Sequence, residues 1–239
     1  MRRLAIFVEG LTEELFAERF LTEFTKGRGL SIEKQRASGG KVNQRSFTRI
    51  TSPSASSPSQ FYALIVNSGT DHRVKSDIME NYDSLVAQGY RTIVGMRDAY
   101  PEAKTLAEVS KLRRSLSYKV KTAPCDVKFV LGVMEIEAWF ISEHTHFSRI
   151  STKLNLGRIK TAMGFDPSRD DIQNRSCPTN DLKAIYRLAR IEYTKEEASI
   201  RRTLTALNHT EVVKLRSRFE DLRFFIEMVD KLVAPRARI

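Results

Sequence analysis

Two short clusters of carboxylates stand at the ends of apolar runs. Glu9 and Glu13 sit in Glu9-Gly10-Leu11-Thr12-Glu13, after Leu4-Ala5-Ile6-Phe7-Val8. Glu135 and Glu137 follow Phe129-Val130-Leu131-Gly132-Val133-Met134. A third acid, Asp98, comes after Thr92-Ile93-Val94-Gly95-Met96 in the same way. The runs predict strands, and in an open parallel sheet ligands and chemistry collect outside the carboxyl ends of the strands. Carboxylates converging there need a divalent cation to be tolerable. Mg²⁺ is held by a few carboxylates together with water and phosphate oxygens, which points to phosphodiester or phosphoryl chemistry.

Glu9 ends a strand that is apolar throughout, so both faces of that strand are covered. Gly10 beside it lets a ligand approach the backbone, and Glu13 lies one helical turn on, where it could face the same cation. The competing reading is that Glu13 and Glu14 only complement the dipole of the helix they begin, and it weighs more heavily on Glu14. Asp98 could equally be a cap for the next helix. Glu135 and Glu137 share a side if the chain is still extended there and diverge if a helix has begun, so both stay open as ligands.

The elements that must position these acids follow a βαβ rhythm over the first 146 residues. Strands are expected at Leu4–Val8, Tyr62–Val66, Arg91–Met96 and Val127–Met134, with helices over about Glu13–Lys26, Asp71–Gln88 and Leu106–Val120 and another through Glu137-Ala138-Trp139-Phe140-Ile141. Trp139 reads as core. A polar stretch at about 37–60, rich in Ser, Gly and Pro, reads as an exposed mobile loop or hairpin. Its Lys34, Arg36, Lys41, Arg45 and Arg49 could touch a phosphate backbone or simply be solvated. Residues 147–239 read as a helical region packed on this domain, ending in one helix over Glu211–Leu232 capped by Asn208. The apolar stripe of that helix could serve a homodimer, although such a stripe is the usual core face. The expected class is α/β, a mainly parallel sheet flanked by helices with a helical C-terminal part.

The 239 residues carry 40 Lys and Arg against 29 Asp and Glu, a net charge of +11. That excess favours polyanions through long-range attraction and counterion release, so nucleic acid leads as partner. On the basic helix Lys111, Arg113 and Arg114 are candidates for phosphate contact, against the reading of a solvated helix face. Two cysteines and four scattered histidines form no zinc-type spacing. His144 and His146 could shuttle protons, although an exposed polar helix end accounts for them more simply. No Walker A loop, dinucleotide fingerprint or nucleophile elbow is present. No run approaches a membrane span, and the apolar run that follows Arg2-Arg3 is too short for a signal segment. A cytoplasmic protein without membrane contact is expected.

Phe7-Val8-Glu9-Gly10-Leu11-Thr12-Glu13 resembles the first motif of TOPRIM domains, the metal-binding fold of topoisomerases, primases and OLD-type nucleases. Three further segments extend the likeness: Ile65-Val66-Asn67-Ser68-Gly69, Gly95-Met96-Arg97-Asp98-Ala99-Tyr100-Pro101, and Met134-Glu135-Ile136-Glu137-Ala138-Trp139-Phe140. Together they resemble the TOPRIM-like bacterial family known as domain of unknown function 4276 (DUF4276), related in style to nucleases that accompany ATPases in phage-defence loci. The resemblance implies a TOPRIM/Rossmann-like fold and a nuclease-like centre using Mg²⁺ or Mn²⁺, with Glu9 and Asp98 as ligands. It also implies an ATPase partner. The usual Asp-x-Asp is here Asp98-Ala99-Tyr100, so the second aspartate is missing and Glu135 or Glu137 would replace it. Arg97 beside Asp98 joins Lys41, Lys111, Arg113 and Arg114 as expected nucleic-acid contacts. The main expectation is thus a Mg²⁺- or Mn²⁺-dependent phosphodiester-processing enzyme, with Glu9, Glu13, Asp98, Glu135 and Glu137 at its centre. The alternative is a non-catalytic subunit that binds nucleic acid or an ATPase through a degenerate site.

Overall fold

The computed structural model describes residues 1–26, 29–40, 43–52 and 59–234. The fold is α/β, with a six-stranded, mostly parallel sheet flanked by helices. Its strands are β1 (Arg2–Val8), β2 (Leu30–Ser38), β3 (Ser46–Thr51), β4 (Phe61–Asn67), β5 (Thr92–Asp98) and β6 (Asp126–Gly132), ordered β3-β2-β4-β1-β5-β6. Helices α1 (Leu11–Phe24), α2 (Asp71–Ala87) and α3 (Leu106–Ser117) alternate with the strands. After β6 the described residues form α4 (Glu137–Ser142), α5 (His146–Ile150), α6 (Leu156–Met163), α7 (Pro178–Arg187), α8 (Glu197–Ala206), α9 (His209–Lys214) and α10 (Glu220–Val233).

By their contacts the residues form two compact units that interleave along the chain. One comprises Met1–Arg97, Arg114–Val130 and the chain from Phe224; the other comprises Asp98–Arg113 and Leu131–Arg223. The sheet belongs to the first unit except for its last residues at Asp98, Leu131 and Gly132.

In the first unit, Leu4, Ala5, Ile6 and Val8 have no exposure, and every residue of β5 is buried. Strands covered on both faces are what near-continuous apolar runs produce. Val74, Ile78, Tyr82 and Leu85 place one buried stripe along α2. Phe16 and Phe20 of α1 meet Phe225 of α10, with ring centroids 5.8 and 5.1 Å apart. Parallel registers pair Val8 with Asn67 on β4 and with Met96 on β5, so the strand ends line up.

Two expectations change. The stretch at 37–60 contains a hairpin: β2 pairs antiparallel with β3 and parallel with β4. Residues 41–42 and 53–58, Lys41 among them, lie outside the described residues. Strand β2 carries Glu33 and Lys34 at 5 % and 9 % exposure, which hides it from an apolar pattern. Glu33 accepts from Tyr62 Oη at 2.5 Å and Lys34 lies 3.3 Å from Glu14, so tertiary partners make these polar residues tolerable. The expected single C-terminal helix is broken between Lys214 and Glu220. Its predicted cap holds, with Asn208 Oδ1 accepting from Thr210 N at 2.9 Å. The break includes Arg218, whose guanidinium donates to the carbonyls of Ser168 and Asp170.

Candidate metal centre

Strand β5 ends at Asp98, and β6 ends at Gly132 in a turn that leads through Val133–Ile136 to α4. Two backbone bonds lace this turn to the segment after Asp98: Ala99 N donates to Gly132 O at 2.8 Å and Tyr100 N to Met134 O at 2.9 Å. Met134 is held at φ 61°, a left-handed conformation that costs a non-glycine residue about 1 kcal/mol. Asp98 Oδ1 accepts from Ile136 N at 2.8 Å. Gly132 makes room for this: a Cβ there would lie 2.4 Å from Asp98 Oδ1.

The turn brings Glu135 and Glu137 together although the helix has begun at the second of them. Asp98, Glu135 and Glu137 each offer a carboxylate oxygen, all within 4.8 Å of one another. They are 4 %, 8 % and 0 % exposed. Each also has one oxygen held by the protein. Asp98 uses Oδ1 on Ile136 N, Glu135 uses Oε2 on Thr179 N at 2.7 Å at the start of α7, and Glu137 uses Oε1 on Tyr193 Oη at 2.9 Å. Lys195 Nζ stands 3.3 Å from Glu137 Oε1 and 4.0 Å from Glu135 Oε1. Glu137 Oε2 is buried and has no hydrogen-bond partner.

No protein-family model, curated protein or solved structure matches this chain. The reading therefore rests on the residues themselves. Two carboxylates at 4.8 Å repel by about 3 kcal/mol at an effective dielectric near 20, and three such pairs cannot be offset by one ammonium. A buried carboxylate oxygen without a donor carries a further desolvation cost of about 1–3 kcal/mol. Both penalties fall if a divalent cation sits among the three acids, and an all-oxygen donor set suits a hard cation such as Mg²⁺ or Mn²⁺.

The other expected residues are distributed as follows. Glu9 and Glu13 belong to the first unit and are not part of this triad. Glu9 is half-buried, and its N–H donates to Met96 O at 3.2 Å. Glu13 is 3 % exposed, its Oε2 placed 3.3 Å from where a Cβ on Gly10 would stand. Glu14, read from sequence chiefly as dipole compensation, is 7 % exposed and accepts from Asn67 Nδ2 at 2.9 Å. Arg97 is 2 % exposed within β5. Arg113 makes a bidentate pair with Asp221, both contacts 2.7 Å, whereas Lys111 and Arg114 are exposed on α3.

Sequence reasoning missed Thr179, Tyr193 and Lys195, because nothing in their neighbourhood has the spacing of a motif. It also misjudged one histidine. His146 has no exposure, its Nδ1 lies 2.7 Å from Glu143 O and its Nε2 3.2 Å from Tyr186 Oη. Burial lowers its pKa to about 3, so it is a neutral core group and not an exposed helix end. Trp139 is core as expected, at 1 % exposure. Among the described residues no helix is long and apolar enough to cross a membrane.

Proposed function

We propose that this chain is a metal-dependent, nuclease-like protein that processes nucleic-acid phosphodiesters, with Asp98, Glu135 and Glu137 holding Mg²⁺ or Mn²⁺. The observation that carries the reading is Glu137 Oε2, buried without a donor in a triad of carboxylates. The net charge of +11 supports a polyanionic substrate. The resemblance to TOPRIM-like DUF4276 proteins supports the chemistry, and Glu9 and Glu13 enter the reading through that resemblance alone. A place in phage defence beside an ATPase, and a cytoplasmic setting, belong to the same proposal.

When bound, the cation would polarise a phosphate oxygen and lower the pKa of an attacking water. The chain's own groups do the positioning. Tyr193 Oη fixes Glu137, Thr179 N fixes Glu135, and Ile136 N fixes Asp98, so that the carboxylates are oriented before any ligand arrives. Lys195, whose side chain is 45 % exposed, lies at the solvent edge of the two glutamates and would exchange them for a phosphate oxygen.

A second reading draws on the same lysine. If Lys195 remains on Glu135 and Glu137, the triad is a structural ion cluster and the chain a non-catalytic subunit that binds nucleic acid or an ATPase. Calorimetric titration of Mn²⁺ into the native chain and Glu137→Gln separates the two. The metal reading expects at least tenfold weaker binding in the variant. It also expects thermal stabilisation of the native chain by about 2.7 kcal/mol at a free metal concentration a hundred times Kd. Equal affinity in both, or none in either, overturns it and leaves the subunit reading. Metal-dependent cleavage of labelled DNA and RNA would then establish the substrate class.

A further inference from the structure

Within the first unit a cavity of about 680 Å³ opens beyond the ends of β2 and β4 and at the start of α2. Gly39, Gly40, Arg45, Ser68, Gly69 and Arg73 line it. We propose that it is a binding site for the phosphate group of a phosphorylated ligand, separate from the carboxylate triad and independent of any metal.

Its two arginines play different parts. Arg45 is neutralised: its Nε donates to Asp77 Oδ1 at 2.9 Å, and Asp77 has no exposure. The same guanidinium donates to Ser68 O at 2.8 Å and Gly39 O at 3.1 Å, tying the β2 and β4 sides of the cavity together. Arg73, on the first turn of α2, has no carboxylate partner among the described residues. Its guanidinium lies against Gly40 so closely that a Cβ there would stand 1.5 Å from Nη2. Gly40 is at φ 106°, which a side chain would strain in any case. The charge of Arg73 is thus placed over backbone and left uncompensated.

A second observation points to a missing ligand. Ser68 is 2 % exposed, and its Oγ has no hydrogen-bond partner. Buried hydroxyls are normally satisfied, and this one belongs to a residue of the cavity wall. The third contribution is the start of α2, a helix of 17 residues whose N-cap residue Thr70 makes no side-chain cap bond. The leading N–H groups of a helix lack intrahelical acceptors and carry about half a positive charge. A planar guanidinium, a hydroxyl and helix N–H groups are donors suited to a tetrahedral phosphate with several acceptor oxygens. The cavity has the volume of sites that hold whole small ligands, so the phosphate would arrive attached to a larger molecule. That molecule is either a nucleic-acid strand or a free phosphorylated compound.

The test uses the full chain in EDTA, so that its failure leaves the carboxylate centre untouched. Pyrophosphate and a short single-stranded oligonucleotide are titrated against the native chain, Arg73→Ala and Ser68→Ala, with circular dichroism melts to check folding and Arg73→Gln as a second variant. Pyrophosphate affinity should fall roughly tenfold to a hundredfold in Arg73→Ala and about threefold to tenfold in Ser68→Ala. If oligonucleotide affinity falls in parallel, the site takes backbone phosphate; if it does not, the ligand is a free phosphorylated compound. Pyrophosphate failing to bind the native chain, or binding all variants alike, overturns the proposal whatever the oligonucleotide does.

Discussion

Replacing Gly132 by alanine should damage the candidate metal centre without touching any of its carboxylates. The added Cβ would stand 2.4 Å from Asp98 Oδ1, 2.7 Å from Ile136 N and 3.1 Å from the carbonyl carbon of Glu135. Two of these neighbours are backbone of the turn itself, and Gly132 O is held by Ala99 N at 2.8 Å. The third, the Asp98 carboxylate, must therefore move, and its bond to Ile136 N is lost. A hydrogen bond to a charged group contributes about 1.5–3 kcal/mol. Forcing a methyl into a filled space costs about 1–3 kcal/mol. The expected loss, about 2–5 kcal/mol, is a large part of a typical domain's stability of roughly 5–15 kcal/mol. Urea unfolding of Gly132→Ala should show a lower midpoint with an unchanged slope, and Mn²⁺ titration should show weaker binding. A variant within about 0.5 kcal/mol of the native chain, with native metal affinity, would refute the geometry.

Two more outcomes test the electrostatics. Burial holds the pKa of His146 at about 3 against an ordinary 6.5, so between those values the unfolded chain carries a proton that the native chain does not. Stability from this group is complete above pH 6.5 and is lost as pH falls toward 3, by up to about 1.4 kcal/mol per pH unit. Burial raises the pKa of Glu143, which acts in the opposite sense above its ordinary 4.5 and is common to both proteins compared. The stability difference between the native chain and His146→Gln, measured by urea unfolding, should narrow as pH drops from 6.5 to 4.5, and a constant gap contradicts the assignment. Arg113→Ala should cost about 3 kcal/mol, because Asp221, 1 % exposed and also accepting from Leu131 N at 2.9 Å, would be left as a buried unpaired charge. Arg114→Ala on the same helix should change stability by less than about 0.5 kcal/mol; equal effects from the two would be inconsistent with the Asp221 pair.

The strands that sequence reasoning found share one property. β1, β4, β5 and β6 are covered on both faces, so burial is written into them residue by residue as an apolar run. Strand β2 was missed because its Glu33 and Lys34 are buried against Tyr62 and Glu14, partners distant in the chain. The break before α10 was missed because the apolar spacing runs through it unchanged. His146 was misread because a polar type suggests solvent, whereas its two ring nitrogens find Glu143 O and Tyr186 Oη inside the protein.

By itself the sequence determined the α/β class, the placing of Asp98, Glu135 and Glu137 near strand ends, and the caps and stripes of several helices. Each is a local property, set by a residue and its near neighbours. Tertiary structure alone decided that these three acids meet, because their meeting depends on a left-handed Met134, on the space at Gly132 and on backbone bonds between segments more than thirty residues apart in sequence. It also decided which groups surround them. Thr179, Tyr193 and Lys195 reach the carboxylates across 40 residues of chain or more, a separation over which no periodicity or motif operates.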